Sequence, residues 1–155
     1  MFNQNMARSK KTDAARPVMT PGTRKSAMPQ TQNTLLGCIA SLGYRTKYSN
    51  IISFTQVECN VGNHFNPSSG VFKVPSDGTY TVVIAIRQNM NSIVKVEVKR
   101  TLATIMQQEV GQVYTTHKGA EASNTFVVCM YKGDTLWAVT DSFECECTYF
   151  SCLRQ

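Results

Sequence analysis

Short apolar runs closed by turn residues set the rhythm of the chain between residues 54 and 80, FTQVECNVGNHFNPSSGVFKVPSDGTY. Phe54, Val57, Phe65, Val71, Phe72, Val74 and Tyr80 are its apolar anchors, separated by the clusters Asn66-Pro67-Ser68-Ser69-Gly70 and Pro75-Ser76-Asp77-Gly78. Proline presets φ, Asn and Asp tolerate turn geometry, and glycine supplies positive φ, so each cluster predicts a chain reversal. Residues 93–100, IVKVEVKR, alternate without a break. Val94, Val96 and Val98 lie on one face and Lys95, Glu97 and Lys99 on the other, as in a strand with one wet side. Residues 79–86 differ. Tyr80, Val82, Ile84 and Ile86 fall on one side, and Val83 and Ala85 on the other, which predicts a strand covered on both faces. Further strands are expected at 35–44, 51–57, 103–108, 112–116, 124–131, 135–139 and 148–153. About ten short strands without a helical stretch imply an all-β, two-sheet antiparallel sandwich.

Composition refines this picture at one end. The 155 residues are 42% hydrophobic and 17% charged, which suits one folded domain with a sizeable core. The net charge of +6 is uneven, because residues 1–33 carry Arg8, Lys10, Lys11, Arg16, Arg24 and Lys25 against Asp13 alone. That segment also holds three prolines and no periodic apolar pattern. It is expected to be a flexible basic arm, with the domain spanning 34–155. As a leader or spacer the arm would be a solvated tail; as a functional element it would neutralise phosphates. No apolar segment near the start resembles a secretory signal, and no run is long enough to span a membrane.

Chemistry-bearing residues are sparse. His64 and His117 precede no nucleophile motif, and the chain lacks Gly-x-Ser-x-Gly, His-Glu-x-x-His and a phosphate-binding glycine loop. No catalytic residue is therefore assigned. The six cysteines, at 38, 59, 129, 145, 147 and 152, permit three bridges in fifteen connectivities. Cys145 and Cys147 lie two apart on one strand face, a poor geometry for bonding each other. Buried thiols acting as small apolar side chains are the alternative. Asp141, Glu144 and Glu146 form a small acidic group, expected to be an exposed acidic face rather than a metal site, and no cofactor is assigned.

The order Phe54, Asn60, Phe65, Phe72, Gly78, Tyr80, with its spacings, resembles the signature of the complement C1q globular domain, a branch of the tumour-necrosis-factor-like jelly rolls. Two later aromatic positions of that signature are Val82 and Ile84 here. The later stretch YKGDTLWAV, with Gly133, Asp134 and Trp137, resembles the family's Gly-Asp followed by an apolar-aromatic strand. The resemblance implies a jelly roll whose signature residues build the core, and a homotrimer packed through the strand carrying Tyr80, Val82 and Ile84. It implies no enzyme. The partners it implies are a protein receptor or a carbohydrate ligand, met through loops at 60–70, 87–92, 117–124 and 140–146. It also implies an extracellular location, and Cys38 and Cys152 on neighbouring first and last strands. Some relatives bind calcium through loop carboxylates, which here would fall to Asp141, Glu144 and Glu146. No Gly-x-y repeat is present, so trimerisation would rest on the domain itself. A second reading belongs to a different class: a small viral jelly-roll coat protein whose basic arm binds RNA.

Overall fold

A computed structural model describes residues 36–90, 94–102 and 106–155. The basic arm expected at 1–33 lies outside the described residues. Ten strands and no helix are found among them: β1 (Gly37–Thr46), β2 (Ser49–Val61), β3 (Phe65–Asn66), β4 (Val71–Lys73), β5 (Gly78–Gln88), β6 (Val94–Leu102), β7 (Met106–Thr115), β8 (Glu121–Met130), β9 (Thr135–Thr140) and β10 (Cys145–Arg154). One sheet runs β2-β1-β10-β5-β8, and the facing sheet places β4 and β6 on either side of β9, with β3 and β7 at the edges. Every pairing is antiparallel. β2 belongs to both sheets, pairing with β1 along most of its length and with β9 at Ile51. The fold is the two-sheet jelly roll that the apolar pattern predicts.

The core lies between the sheets. β5 contributes Tyr80, Val82, Ile84 and Ile86, all 0% exposed, and Val96 and Val98 of β6 face them from the opposite sheet at 0%. Phe54, Phe65 and Phe150 form an aromatic trio with ring centroids 5.4–5.9 Å apart, a separation that adds edge and offset attraction to area burial. Phe72 meets Tyr80 edge-on at 6.1 Å, and the Tyr80 hydroxyl donates to the Ser76 carbonyl at 2.7 Å, so the one polar atom of this buried ring is satisfied.

The turn residues of 54–80 hold this core in place. The Asn60 side chain spans the loop that follows β2: its Nδ2 donates to the Phe65 carbonyl (2.7 Å) and its Oδ1 accepts from the Phe65 amide (3.0 Å). Gly70 has φ 68°, and a β-carbon there would sit 1.8 Å from the Ile52 carbonyl oxygen, so only glycine lets the turn lie against β2. Val57 departs from its expected role as an anchor. It is exposed because β2, having left the facing sheet, runs here as the edge of its own sheet with both sides partly open. The two strands expected at 103–108 and 112–116 are one, β7; residues 103–105 of the first lie outside the described residues.

Candidate functional site

Jelly-roll connections gather at the two ends of the sandwich. At one end lie the β1–β2 turn, the β5–β6 connection, the β7–β8 loop and the β9–β10 loop. They are tied by Asn89 N–H to the Glu144 carbonyl (3.1 Å), Gly119 N–H to the Gln88 carbonyl (2.8 Å) and Arg45 Nη1 to the Asp141 carbonyl (2.6 Å). Three of the four segments expected to bind, 87–92, 117–124 and 140–146, therefore meet at this end; residues 91–92 lie outside the described residues. Tyr48 is 92% exposed here, Phe143 and Met90 are exposed, and the Arg45 guanidinium stacks over the Phe143 ring at 4.1 Å. The fourth segment, 60–70, does not join them. Its part 62–64 lies at the far end, beside 73–76 and 131–134.

The outward face of the β2-β1-β10-β5-β8 sheet is a second candidate surface. Register aligns three rows across it: Gly37, Leu153, Thr81 and Val127; Ile39, Ser151, Val83 and Thr125; then Tyr149, Ala85 and Ser123. Across β1, β10, β5 and β8 these rows carry no charged side chain. The next row does: Glu146 lies opposite Arg87, which is ion-paired with Glu121 at 2.6 Å. Val127 is 71% exposed on this face. Alternation along β5 predicts Val83 and Ala85 here; Ile39, Val127, Tyr149 and Leu153 carry no signal of their own and needed the register.

Tyr80, Val82 and Ile84, expected at a subunit contact, are each 0% exposed within the single chain, on the side of β5 that faces the other sheet. The alternate residues Thr81, Val83 and Ala85 stand on the outward side of β5, half-buried in the single chain. Among the signature residues, Phe54, Phe65, Phe72 and Tyr80 are core, whereas the polar and glycine positions shape turns. Gly78 opens β5. Gly133 holds φ 95°, and Asp134 is buried with Oδ2 accepting from the Tyr131 amide at 3.0 Å, closing the β8–β9 turn. Trp137 is buried outside the inter-sheet core. Its register partners Lys99 and Val71 place it on the outer face of the facing sheet.

Nothing among the described residues brings three or more His, Cys, Asp or Glu side chains close enough to hold a metal ion. Glu146 points out from β10 between the buried Cys145 and Cys147, while Asp141 and Glu144 lie in the loop before it. A groove of about 360 Å³ beside β6 is lined by Lys95, Glu97 and Lys99, which pair with one another, and hydrogen bonds from both lysines hold the Glu97 carboxyl below the usual range.

All six thiols are free. Cys38 and Cys152 are directly opposed on β1 and β10, a Cα separation of about 4.5–5.5 Å that a disulfide can span. Burial pushes the Cys38 and Cys145 thiols up to about 12 and raises Cys147 and Cys152 as well. Below the unfolded value near 9 the folded and unfolded chains bind these protons equally. Above it the unfolded chain releases them first, so stability falls as pH rises from about 9 to about 12. We expect the melting temperature to drop through that window, and iodoacetamide at neutral pH to label the exposed Cys129 while sparing the four buried thiols by mass spectrometry. Melting that is flat with pH would contradict the burial assigned to them.

Comparison with known proteins agrees with the geometry. The C1q domain family model matches residues 39–148. No curated protein sequence matches the chain. Among solved structures, the globular domain of zebrafish complement 1qA is similar at 15% identity, covering 77% of this chain and 92% of that one, with a TM-score of 0.56. Eiger TNF from S. frugiperda is similar at 10% identity, 78% and 92% coverage and a TM-score of 0.64. Murine APRIL is similar at 10% identity, 77% and 99% coverage and a TM-score of 0.60. At these identities the structural likeness establishes the fold, and the family model, matching well over half the chain, establishes the membership: this protein belongs to the C1q domain family.

Proposed function

We propose that the chain works as a homotrimeric recognition module. Three sandwiches pack through the outward face of the β2-β1-β10-β5-β8 sheet and present their β1–β2, β5–β6, β7–β8 and β9–β10 loops to a protein receptor or a glycan outside the cell. Family membership supports this, since C1q and TNF-like domains are typically trimeric, extracellular and non-enzymatic. No helix among the described residues is long and apolar enough to cross a membrane.

The observation that carries the reading is the uncharged patch of that face across β1, β10, β5 and β8, with Ile39, Val83, Ala85, Tyr149, Leu153 and Val127, ending at the Arg87–Glu121 pair. Apolar surface of this kind is favourable only when covered, and cyclic symmetry covers it on every copy at once. Three copies also present each loop three times, so weak single contacts add through avidity. Light scattering on the purified chain tests the proposal. A particle of about three times 17.2 kDa supports it, and a stable single chain overturns it. A shell of dozens of chains overturns it in favour of the coat-protein reading with an RNA-binding arm.

A further inference from the structure

The fold sorts the six thiols into two groups. Cys38, Cys145, Cys147 and Cys152 belong to the core between the sheets, whereas Cys59 and Cys129 do not. Cys59 is paired in register with Ile39, at the β2 end of the row that runs through Ser151 and Val83 to Thr125. That pairing puts it on the outward side of the β2-β1-β10-β5-β8 sheet, partly buried. Cys129 is exposed, two residues beyond the outward Val127 on β8 and opposite Thr79, whose Oγ1 is 3.8 Å from its Sγ. The two thiols left over from the core thus flank the uncharged patch, one on each edge strand of its sheet.

Within one chain these two cannot meet. Four strand spacings separate β2 from β8, about 19 Å, against the roughly 4.5 Å that a disulfide allows between β-carbons. Both nevertheless stand toward the same end of the sandwich. Cys59 lies two residues before the end of β2, and Cys129 one residue before the end of β8. A ring of three copies built on the outward face is head-to-tail, so the β2 half of each copy's face meets the β8 half of the next. Edges held apart in one chain then share a seam, and the ring has three such seams.

We infer that Cys59 of one copy and Cys129 of the next form a disulfide, and that three such bonds close the trimer into a covalent ring. The inference rests on the trimer proposed above and adds a covalent modification to its contact. Unlike positions must pair, because a bond between two Cys129 residues joins two copies and leaves the third out. The oxidant is a small disulfide of the oxidised glutathione class, acting by thiol–disulfide exchange in an oxidising compartment. The exposed Cys129 thiolate attacks one glutathione sulfur, releasing one reduced glutathione and leaving a mixed disulfide. The Cys59 thiolate of the neighbouring copy then attacks Cys129 Sγ and displaces the second glutathione. Both thiol protons and both electrons end on two molecules of reduced glutathione.

The full chain, reduced and then incubated with oxidised glutathione, tests the inference through two readouts. Light scattering reports the assembly, and electrophoresis in SDS without reductant reports the covalent links. We expect a band at three times 17.2 kDa that collapses to one chain with dithiothreitol, and a linked Cys59–Cys129 peptide pair by mass spectrometry. Cys59→Ser and Cys129→Ser should each abolish that band while light scattering still finds three chains. Both side chains lie outside the core, so these variants retain the fold. Three chains by light scattering that run singly in SDS after oxidation would overturn the covalent ring and leave the trimer standing. Single chains by light scattering would overturn both. A two-chain band carrying a Cys129–Cys129 link, or a Cys59–Cys129 link within a single chain, would overturn the assigned pairing.

Discussion

With the outward face as the contact of the proposed trimer, Val83→Glu is expected to give folded single chains in its place, while the neighbouring Val82→Glu abolishes folding. The two side chains point in opposite directions from β5. Val82 is 0% exposed between the sheets, where a carboxylate has no partner and pays a desolvation penalty of several kcal/mol. Val83 stands on the outward face between Ser151 and Thr125, half-exposed in the single chain and covered further in the proposed trimer. A charge there costs the monomer little, yet costs an assembly that buries it in every copy several kcal/mol per copy. Light scattering with circular dichroism separates the cases: Val83→Glu keeps the β-sheet spectrum at single-chain mass, and Val82→Glu loses the spectrum. An assembly that survives Val83→Glu unchanged would mean that this face is not the contact.

The same pair of residues marks where the sequence stops being legible. Period-two alternation separates Val82 from Val83, and the 93–100 stretch reads as a one-sided strand because its charges and valines never slip. Which outward neighbours complete the face depends on strand order and register. β10 lies between β1 and β5 although it comes last in the chain, and a register irregularity between Cys147 and Tyr149 shifts its later side chains. Local pattern carries no trace of either. Trp137 marks the same limit: a large ring in an apolar strand reads as buried, but which face of β9 buries it depends on the register with β4 and β6. The pattern reads two strands at 103–108 and 112–116, but a β-carbon at Gly111 would lie 2.1 Å from the Phe126 ring, so the glycine admits that ring and the strand continues.

Phe150→Ala is the substitution within the core from which we expect the largest loss of stability short of unfolding. Phe150 sits on β10, the strand that joins β1 to β5, and it is 0% exposed. Its ring touches both Phe54 of β2 (5.4 Å between centroids) and Phe65 of β3 (5.9 Å), so it links the centre of one sheet to the hairpin at the edge of the other. Truncation removes the buried ring, leaves a cavity that two other rings cannot collapse into without leaving their own packing, and forfeits both aromatic contacts. Substitutions of this kind cost about 3–5 kcal/mol, a large share of the roughly 5–15 kcal/mol that holds a domain together. The expected fall in melting temperature is on the order of 10 °C by calorimetry. Phe143→Ala, at an exposed ring 56% open to solvent, should cost under about 1 kcal/mol in the same experiment. Because Phe65 is held by the two Asn60 hydrogen bonds as well as by Phe150, Phe150→Ala and Asn60→Ala should not add: once the ring partner is gone, releasing the loop removes less. Strict additivity would show that the asparagine clasp and the aromatic trio act independently, against the coupling that their shared residue implies.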